Sequence, residues 1–318
     1  MITDSGHPDA LFELRDVTHD YGRVRALCDL TMRVPQGAVA LVGQNGAGKS
    51  TLMQILLGLI QPARGSAWVL GRQVDRQPLA LRGRIGYMSE REAFVTGLKG
   101  IEYVALAGQL SGMPGKQAWR RAHETLSYLG LEEARYRRLE EYSVGMKQRL
   151  KLAAALVHDP DVLLLDEPTA GLDPEGRAAM LSVMHTLARR PGKSLLLSTH
   201  LLTDVQRTCQ QAVILDRGQL LYSGPLQDLR RPRPRNYRLR WDGDGNGWLK
   251  DLQRIGVQVH PPARAGEAHV TVPETWSNRD FFRQSLRHQV ILTGLEPEED
   301  DLETVYEQLV RKAGGSSQ

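Results

Sequence analysis

The fold is decided by the stretch Gly43-Gln44-Asn45-Gly46-Ala47-Gly48-Lys49-Ser50-Thr51. It matches G-x-x-x-x-G-K-[ST], the pattern of a phosphate-binding loop that joins a strand to a helix. Residues 38–42 before it are all apolar, which predicts a buried strand, and residues 50–59 after it have helical spacing. Glycines allow the loop N–H groups to close around phosphate oxygens, and the helix N-terminus adds partial positive charge. The stretch therefore predicts a nucleoside triphosphate site, with Lys49 on the β- and γ-phosphates and the Ser50 hydroxyl on Mg²⁺.

Composition and charge limit which class of protein the sequence can encode. The 318 residues are 41% hydrophobic, enough for one large domain and a smaller one. The net charge of +4 is small for this length and does not by itself indicate a nucleic-acid partner. The two cysteines, Cys28 and Cys209, have no CxxC spacing and are expected as free thiols in a reducing cytoplasm. The polar N-terminus lacks a signal-peptide pattern, and no apolar run approaches the ~20 residues that cross a bilayer.

Residues 1–229 alternate strand and helix patterns, which predicts a mostly parallel sheet covered on both faces. A helical insert at about 97–158 separates two blocks of this pattern. A hairpin is expected across Arg217-Gly218. The strands are expected at 11–18 (an edge strand), 26–34, 38–42, 66–70, 84–88, 162–165, 194–198, 212–216 and 219–222.

A second, smaller domain is predicted at 237–318. Residues 230–236 are rich in Pro and Arg, and an extended basic linker is expected there. We favour a solvated linker over one that touches anionic lipid. Beyond it the pattern is βαββαβ, which suits a small α+β domain of the split-βαβ type, followed by a last helix that begins at the acidic pair Asp300-Asp301. Its role stays open among regulation, dimer surface and binding of another subunit.

Two carboxylates follow the apolar run 162–165. A strand there would deliver Asp166 and Glu167 to the carboxyl edge of the sheet, where such folds bind their ligands. One carboxylate can hold Mg²⁺, and the other can orient and activate a water molecule for in-line attack on a phosphate.

With these residues in place, residues 11–229 resemble the ATP-binding subunits of ABC transporters. Tyr142-Ser143-Val144-Gly145-Met146-Lys147-Gln148 resembles the signature that usually reads LSGGQ. Ala170-Gly171-Leu172-Asp173 is similar to the family's D-loop, and Ser198-Thr199-His200 to its switch histidine. Tyr21 stands where the adenine-stacking aromatic is expected.

The resemblance implies a role for each residue. Two subunits pair head to tail around two ATP molecules, and Ser143 and Gly145 cap the γ-phosphate held by the opposite subunit. Glu167 polarises the attacking water, His200 contacts the γ-phosphate, and Asp173 both caps a helix and bridges the dimer. With Lys49, Glu167 and His200 as catalytic residues, the expected nucleotide contacts are Tyr21, Gly43, Gln44, Asn45, Gly46, Ala47, Gly48, Lys49, Ser50, Thr51, Ser143, Gly145 and Asp173.

The expected Mg²⁺ ligands are Ser50, Asp166 and Glu90, and Glu90 departs from the family pattern. The family has glutamine at this position, where a neutral oxygen meets the metal and signals to the membrane subunit. Glutamate can still ligate Mg²⁺, with an added negative charge near the γ-phosphate. Alternatively, Glu90 turns outward and another group takes the role. The signature also has Val144 and Met146 where Gly and Gln are usual.

The predicted fold is α/β, a P-loop ABC ATPase domain with a helical subdomain and a small C-terminal α+β domain. The predicted function is that of a cytoplasmic ATPase, peripheral on the inner face of the membrane, that drives a separate permease as a homodimer and favours export. The alternative is an ABC ATPase that acts on a ribosome or DNA complex. A P-loop kinase or GTPase would have no reason to carry both the Ser143–Gly145 turn and His200.

Overall fold

The computed structural model describes residues 6–76, 78–229, 232–260, 266–273, 276–299 and 302–315. The chain divides into two compact units. The first runs to Gln227 and includes the chain from Leu309 onward; the second spans Asp228–Gln308. The second unit thus ends earlier than the predicted 237–318, because the last helix is divided between the two. Within the described residues, no helix is both long and apolar enough to span a bilayer.

The centre of the first unit is a sheet that, in the described residues, has six strands in the order β10-β9-β3-β8-β7-β6. Every neighbouring pair is parallel except the hairpin β9–β10. All residues of β3 and β7 are buried, as expected for parallel strands covered on both faces. The strands are β3 (Ala38–Val42), β6 (Ile85–Met88), β7 (Val162–Asp166), β8 (Ser194–Thr199), β9 (Gln211–Asp216) and β10 (Gln219–Pro225).

The predicted hairpin across Arg217-Gly218 is confirmed. Both residues have positive φ angles, 46° and 77°, as a two-residue type I′ turn requires. The antiparallel pairing of β9 and β10 follows directly from this turn.

An antiparallel sheet in the order β2-β1-β4-β5 completes the strands described in this unit. The prediction of an edge strand at 11–18 is wrong, because β1 pairs with β2 on one side and with β4 on the other. Both flanks of β1 are therefore hydrogen-bonded. The strands are β1 (Ala10–Tyr21), β2 (Val24–Pro35), β4 (Arg64–Val69) and β5 (Arg72–Gln73).

Helices of the first unit pack on these sheets and form the predicted helical insert. Leu52 and Met53 of the helix after the phosphate-binding loop share one core with Leu27 of β2 and Leu41 of β3. The short helices α2, α7 and α8 were not predicted. The helices are α1 (Lys49–Leu56), α2 (Pro78–Arg82), α3 (Gly100–Leu110), α4 (Gly115–Tyr128), α5 (Val144–Leu156), α6 (Pro174–Ala188), α7 (Leu202–Thr208) and α8 (Leu226–Leu229).

The second unit has the predicted βαββαβ order, and its strands lie side by side as β12-β13-β11-β14, all antiparallel. This is the strand order of a split-βαβ sheet. Trp248 is fully buried and meets Trp241 edge to face at 5.5 Å, as a core position predicts. The elements are β11 (Pro232–Asp242), α9 (Asn246–Arg254), β12 (Gln258–His260), β13 (Glu267–Thr271), α10 (Asn278–Arg287), β14 (Ile291–Glu299) and α11 (Leu302–Gly315).

The predicted linker at 230–236 is largely a strand. Backbone pairs join Pro232 to Glu299 and Asn236 to Thr271, so this segment belongs to β11. Extended linkers and strands share the same φ/ψ region, and pairing partners far along the chain decide between them. Arg238 and Arg240 lie in this strand, next to the Glu267 carboxylate at 3.5 and 3.7 Å. Arg230, Arg231 and the pair Asp300-Asp301 lie outside the described residues.

Candidate nucleotide-binding site

The candidate site forms where three neighbouring parallel strands end. In the register of the sheet, Leu41 of β3 is opposite Ser198 of β8, and Ser198 is opposite Asp166 of β7. The segments that follow β3, β7 and β8 therefore leave the sheet at one edge. These segments are the phosphate-binding loop, Glu167 and His200.

The phosphate-binding loop needs its glycines because neighbouring backbone lies close to it. A Cβ on Gly43 would lie 2.6 Å from the carbonyl oxygen of Leu215. Gly48 has a φ of +102°, and a Cβ there would lie 2.7 Å from the carbonyl oxygen of Ala26. Gly48 is also the N-cap of α1, so the loop ends on the N–H groups of a helix N-terminus. These constraints leave a backbone concavity suited to an anion.

Lys49 is buried, with 5% of its surface exposed. Its Nζ donates hydrogen bonds to the carbonyl oxygens of Gly43, at 2.6 Å, and Gln44, at 3.4 Å. The same nitrogen lies 3.7 Å from Oε1 of Glu167. The ammonium group thus stands between the loop and the carboxylate that follows β7.

Two buried carboxylate oxygens at this edge have no hydrogen-bond partner among the described residues. Oδ2 of Asp166 accepts a hydrogen bond of 3.2 Å from Oγ of Ser50, while Oδ1 of Asp166 and Oε2 of Glu167 are unpaired. Such orphaned atoms are costly and call for a partner that a bound group would supply. Hydroxyl and carboxylate oxygens fit Mg²⁺. Mg²⁺ is usually held by one or two carboxylates together with substrate phosphates, so Ser50 and Asp166 fit a Mg²⁺ ion that also takes phosphate oxygens. No group of three or more His, Cys, Asp or Glu residues with metal-site geometry occurs in the described part of the chain.

Glu167 has an unusual backbone. Its φ of 46° is in the left-handed region that non-glycine residues seldom adopt, at a cost of order 1 kcal/mol. Its N–H donates to the carbonyl oxygen of Ser198 at 3.0 Å, and its Oε1 accepts from Nδ1 of His200, also at 3.0 Å. These contacts hold the carboxylate beside Lys49. The His200 side chain itself is half exposed, at 52%.

A cleft of about 420 Å³ contains most of the predicted nucleotide contacts. Tyr21 lies at its rim, 50% exposed, and its hydroxyl donates to Oε1 of Gln54 at 3.2 Å. An exposed ring held in this way suits stacking on a base. The cleft is also lined by Val24, Arg25 and Ala26, which were not predicted; the turn at Gly22, which returns the chain past Tyr21, was the available signal.

Glu90 lies on the wall of the same cleft as Ser50 and Asp166. Burial, followed by the charges of Asp166 and Glu90, raises the pKa of Tyr87 to about 12. The two carboxylates therefore act on the same neighbour at the end of β6. Glu90 thus lines the cleft that also contains Ser50 and Asp166, the other two predicted metal ligands.

The predicted contacts to an opposite subunit line a different groove. Ser143, Gly145 and Asp173 lie in a groove of about 510 Å³ that shares no lining residue with the first cleft. Ser143 caps α5 by accepting from the Met146 N–H, and Asp173 caps α6 by accepting from the Gly176 N–H. One chain thus presents the two sets of predicted contacts at separate places.

Comparisons with known proteins agree with this geometry. Residues 27–170 match the family model described as ABC transporter. The uncharacterized ABC transporter ATP-binding protein YxlF of Bacillus subtilis (strain 168) is 33% identical over 303 residues, 94% of this chain and 99% of that protein. The daunorubicin/doxorubicin resistance ATP-binding protein DrrA of Streptomyces peucetius is 35% identical over 258 residues, 80% of this chain and 78% of that protein.

A solved structure shows the same fold. An ATP-binding subunit of an ABC transporter superposes with a TM-score of 0.62 at 33% identity, covering 69% of this chain and 91% of the other. The predicted fold class is therefore confirmed. These names give no support to the alternative of a ribosome- or DNA-acting ATPase. From the loop, the carboxylate edge and these relatives together, we conclude that the chain belongs to the ABC transporter family, as one of its ATP-binding subunits.

Proposed function

We propose that this chain hydrolyses Mg·ATP and uses the energy to drive a separate integral membrane permease, in a dimer of ATP-binding subunits. One observation carries the proposal: Asp166 and Glu167 each present a buried oxygen that no group in the described residues pairs with, at the sheet edge that holds the phosphate-binding loop. Magnesium bound there would neutralise phosphate charge and orient the γ-phosphate for in-line attack.

Each residue of the site has a separate proposed role. The Lys49 ammonium exchanges its bonds to the Gly43 and Gln44 carbonyls for phosphate oxygens. Ser50, Asp166 and Glu90, which line the same cleft, would hold the metal. Glu167 accepts the proton of the attacking water, and His200 fixes this carboxylate through Nδ1 and turns its other ring nitrogen to the γ-phosphate. Tyr21 stacks on the adenine.

The dimer completes each site. Ser143 and Gly145 are proposed to cap the γ-phosphate bound by the other subunit, since they line a groove apart from the phosphate-binding loop of their own chain. ATP then closes the dimer, and hydrolysis followed by product release opens it. The Glu90 segment and the helical insert would pass this motion to the permease at the inner face of the membrane. We propose export as the direction, since drug resistance, the property in DrrA's name, fits outward transport.

The direct test is Glu167→Gln, which keeps the size of the side chain and removes the base. Steady-state hydrolysis is expected to fall at least about 100-fold, the usual worth of a general base, with ATP affinity by calorimetry within about threefold of wild type. Glu124→Gln, on the exposed surface of α4, is the matched control and should hydrolyse ATP normally. Full hydrolysis by Glu167→Gln would refute the assigned base.

The coupling to a membrane partner is tested separately. Tagged protein purified from detergent-solubilised membranes is expected to bring down a protein with several membrane spans. Recovery of ribosomes or DNA instead would contradict the transport assignment.

A further inference from the structure

A buried lysine in α5 holds the segment that follows β6. Lys151 is 6% exposed, and the Leu150 and Leu152 side chains beside it are completely buried. Its Nζ donates hydrogen bonds to the carbonyl oxygens of Ser89, at 2.9 Å, and Glu90, at 3.1 Å. Burying an ammonium group costs free energy unless hydrogen-bond acceptors compensate it, so these two carbonyl oxygens account for the buried position of Lys151. Nothing in the proposed chemistry uses Lys151.

The backbone packing explains how a residue of α5 reaches this segment. A Cβ on Gly86 of β6 would collide with the Ala155 carbonyl oxygen of α5. The missing side chain at Gly86 therefore lets β6 lie directly on α5. The chain that continues from β6 into Ser89 and Glu90 consequently passes over Lys151.

The charges around Lys151 point to the metal side of the cleft. Burial lowers the pKa of the Lys151 ammonium group, and Glu92, Glu90 and Asp166 act in the opposite direction. Two of these three carboxylates, Glu90 and Asp166, line the nucleotide cleft. The buried cation thus lies within electrostatic reach of the proposed metal ligands.

We propose that Lys151 is a positioning residue for the metal side of the nucleotide site. Its two hydrogen bonds fix the Ser89–Glu90 main chain to α5, so that the Glu90 carboxylate stays on the cleft wall facing Ser50 and Asp166. The helix that carries this anchor begins at the Ser143 cap, so one rigid element joins the groove for the opposite subunit to the metal side of its own site. This inference rests on the proposed Mg²⁺ role of Glu90.

The test measures how much Mg²⁺ strengthens ATP binding. Calorimetry gives the ratio of the ATP dissociation constant in EDTA to that in saturating Mg²⁺, in a Glu167→Gln background where turnover is expected to be slow. Lys151→Met should lower this ratio about three- to tenfold, because Glu90 is no longer held. In a Glu90→Ala background, the same substitution should change the ratio less than about twofold, since the residue through which it acts is gone.

Lys193→Met is the matched control. Lys193 also donates to two consecutive carbonyl oxygens, those of Asp159 and Pro160, at 2.9 and 2.8 Å, but it does not line the cleft. Its substitution should leave the ratio unchanged. If Lys151→Met does not fold, Lys151→Gln, which keeps one donor group, should lower the ratio about twofold.

An unchanged ratio in folded Lys151 variants, or an equal fall with and without Glu90, would overturn the positioning role. A wild-type ratio of one would instead overturn the proposed metal site itself. The two failures are therefore distinguishable.

Discussion

The phosphate-binding loop and the signature turn both carry glycines, and their surroundings differ. In the loop, Gly43 and Gly48 have no room for a side chain, since neighbouring carbonyl oxygens lie where a Cβ would go. In the signature turn, a Cβ on Gly145 would meet, among the described residues, only the Leu172 side chain at an ordinary 3.7 Å. The fold of a single chain therefore requires Gly43 and Gly48 but does not require Gly145.

Burial separates the same two regions. Lys49, Asp166 and Glu167 are each no more than 5% exposed; the Lys49 ammonium lies 3.7 Å from the Glu167 carboxylate, and Asp166 accepts a hydrogen bond from Ser50. Val144, beside Gly145, is an apolar side chain with 51% exposure. The cleft is thus organised within one chain, whereas the groove, with Val144 exposed in it, is the surface proposed to meet the opposite subunit.

The largest expected effect comes from breaking each region in turn. Lys49→Ala should weaken ATP binding about 100-fold, because a charge-assisted contact to phosphate is lost. Gly145→Asp should leave ATP affinity within about threefold of wild type but reduce hydrolysis about 100-fold, because in the proposed dimer the added carboxylate would face the γ-phosphate bound by the opposite subunit. Calorimetry and a phosphate-release assay measure the two quantities.

Mixing the two inactive variants sharpens the comparison. A dimer of one Lys49→Ala chain and one Gly145→Asp chain contains one intact site, so an equimolar mixture should recover about a quarter of wild-type hydrolysis. The melting temperature of Gly145→Asp serves as the control for folding. No recovery in a mixture that dimerises would contradict a site shared between two chains.

A smaller effect is expected at the rim of the cleft. Tyr21→Ala should weaken ATP binding about tenfold through loss of base stacking, without changing hydrolysis at saturating ATP. Tyr21→Phe loses only the hydroxyl contact to Gln54 and should bind within about twofold of wild type. Equal weakening by both substitutions would show that the hydrogen bond, not the ring face, is what matters.

The smallest effect tests what Asp173 does for its own chain. Asp173→Ala removes the N-cap of α6 and should lower the free energy of unfolding by about 1 kcal/mol, measured by urea denaturation. Asp173→Ser keeps a capping oxygen and should recover most of this loss. ATP affinity of the single chain should not change in either variant, and a change would place Asp173 in the cleft rather than in the groove.

Much of the fold could be predicted because its signals are local. The apolar runs that became β3, β7 and β8, the Arg217-Gly218 turn and the helix cap at Asp173 each depend on residues within a few positions. The errors concern long-range pairing. Whether β1 lies at an edge depends on β4, about fifty residues later, and whether the predicted linker is a strand depends on β13 and β14.

The candidate site likewise contains residues that local patterns predicted and residues that depend on long-range contacts. The motifs identified Lys49, Asp166 and Glu167, because these residue types at the end of such a loop or strand rarely serve another function. Lys151 was missed, because nothing in the spacing of α5 shows that its side chain bonds to carbonyl oxygens some sixty positions earlier.

The amino-acid sequence by itself therefore determined the chemistry: a phosphate-binding loop, two carboxylates after a buried strand, and the signature of an ABC transporter ATP-binding subunit. Tertiary structure alone decided which oxygens stay unpaired, that Gly145 is not needed by its own chain, and that Lys151 anchors Glu90. The reason is physical. Residue type and spacing specify local conformation and reactive groups, whereas unpaired atoms, close approaches and buried charges arise only when distant segments pack together.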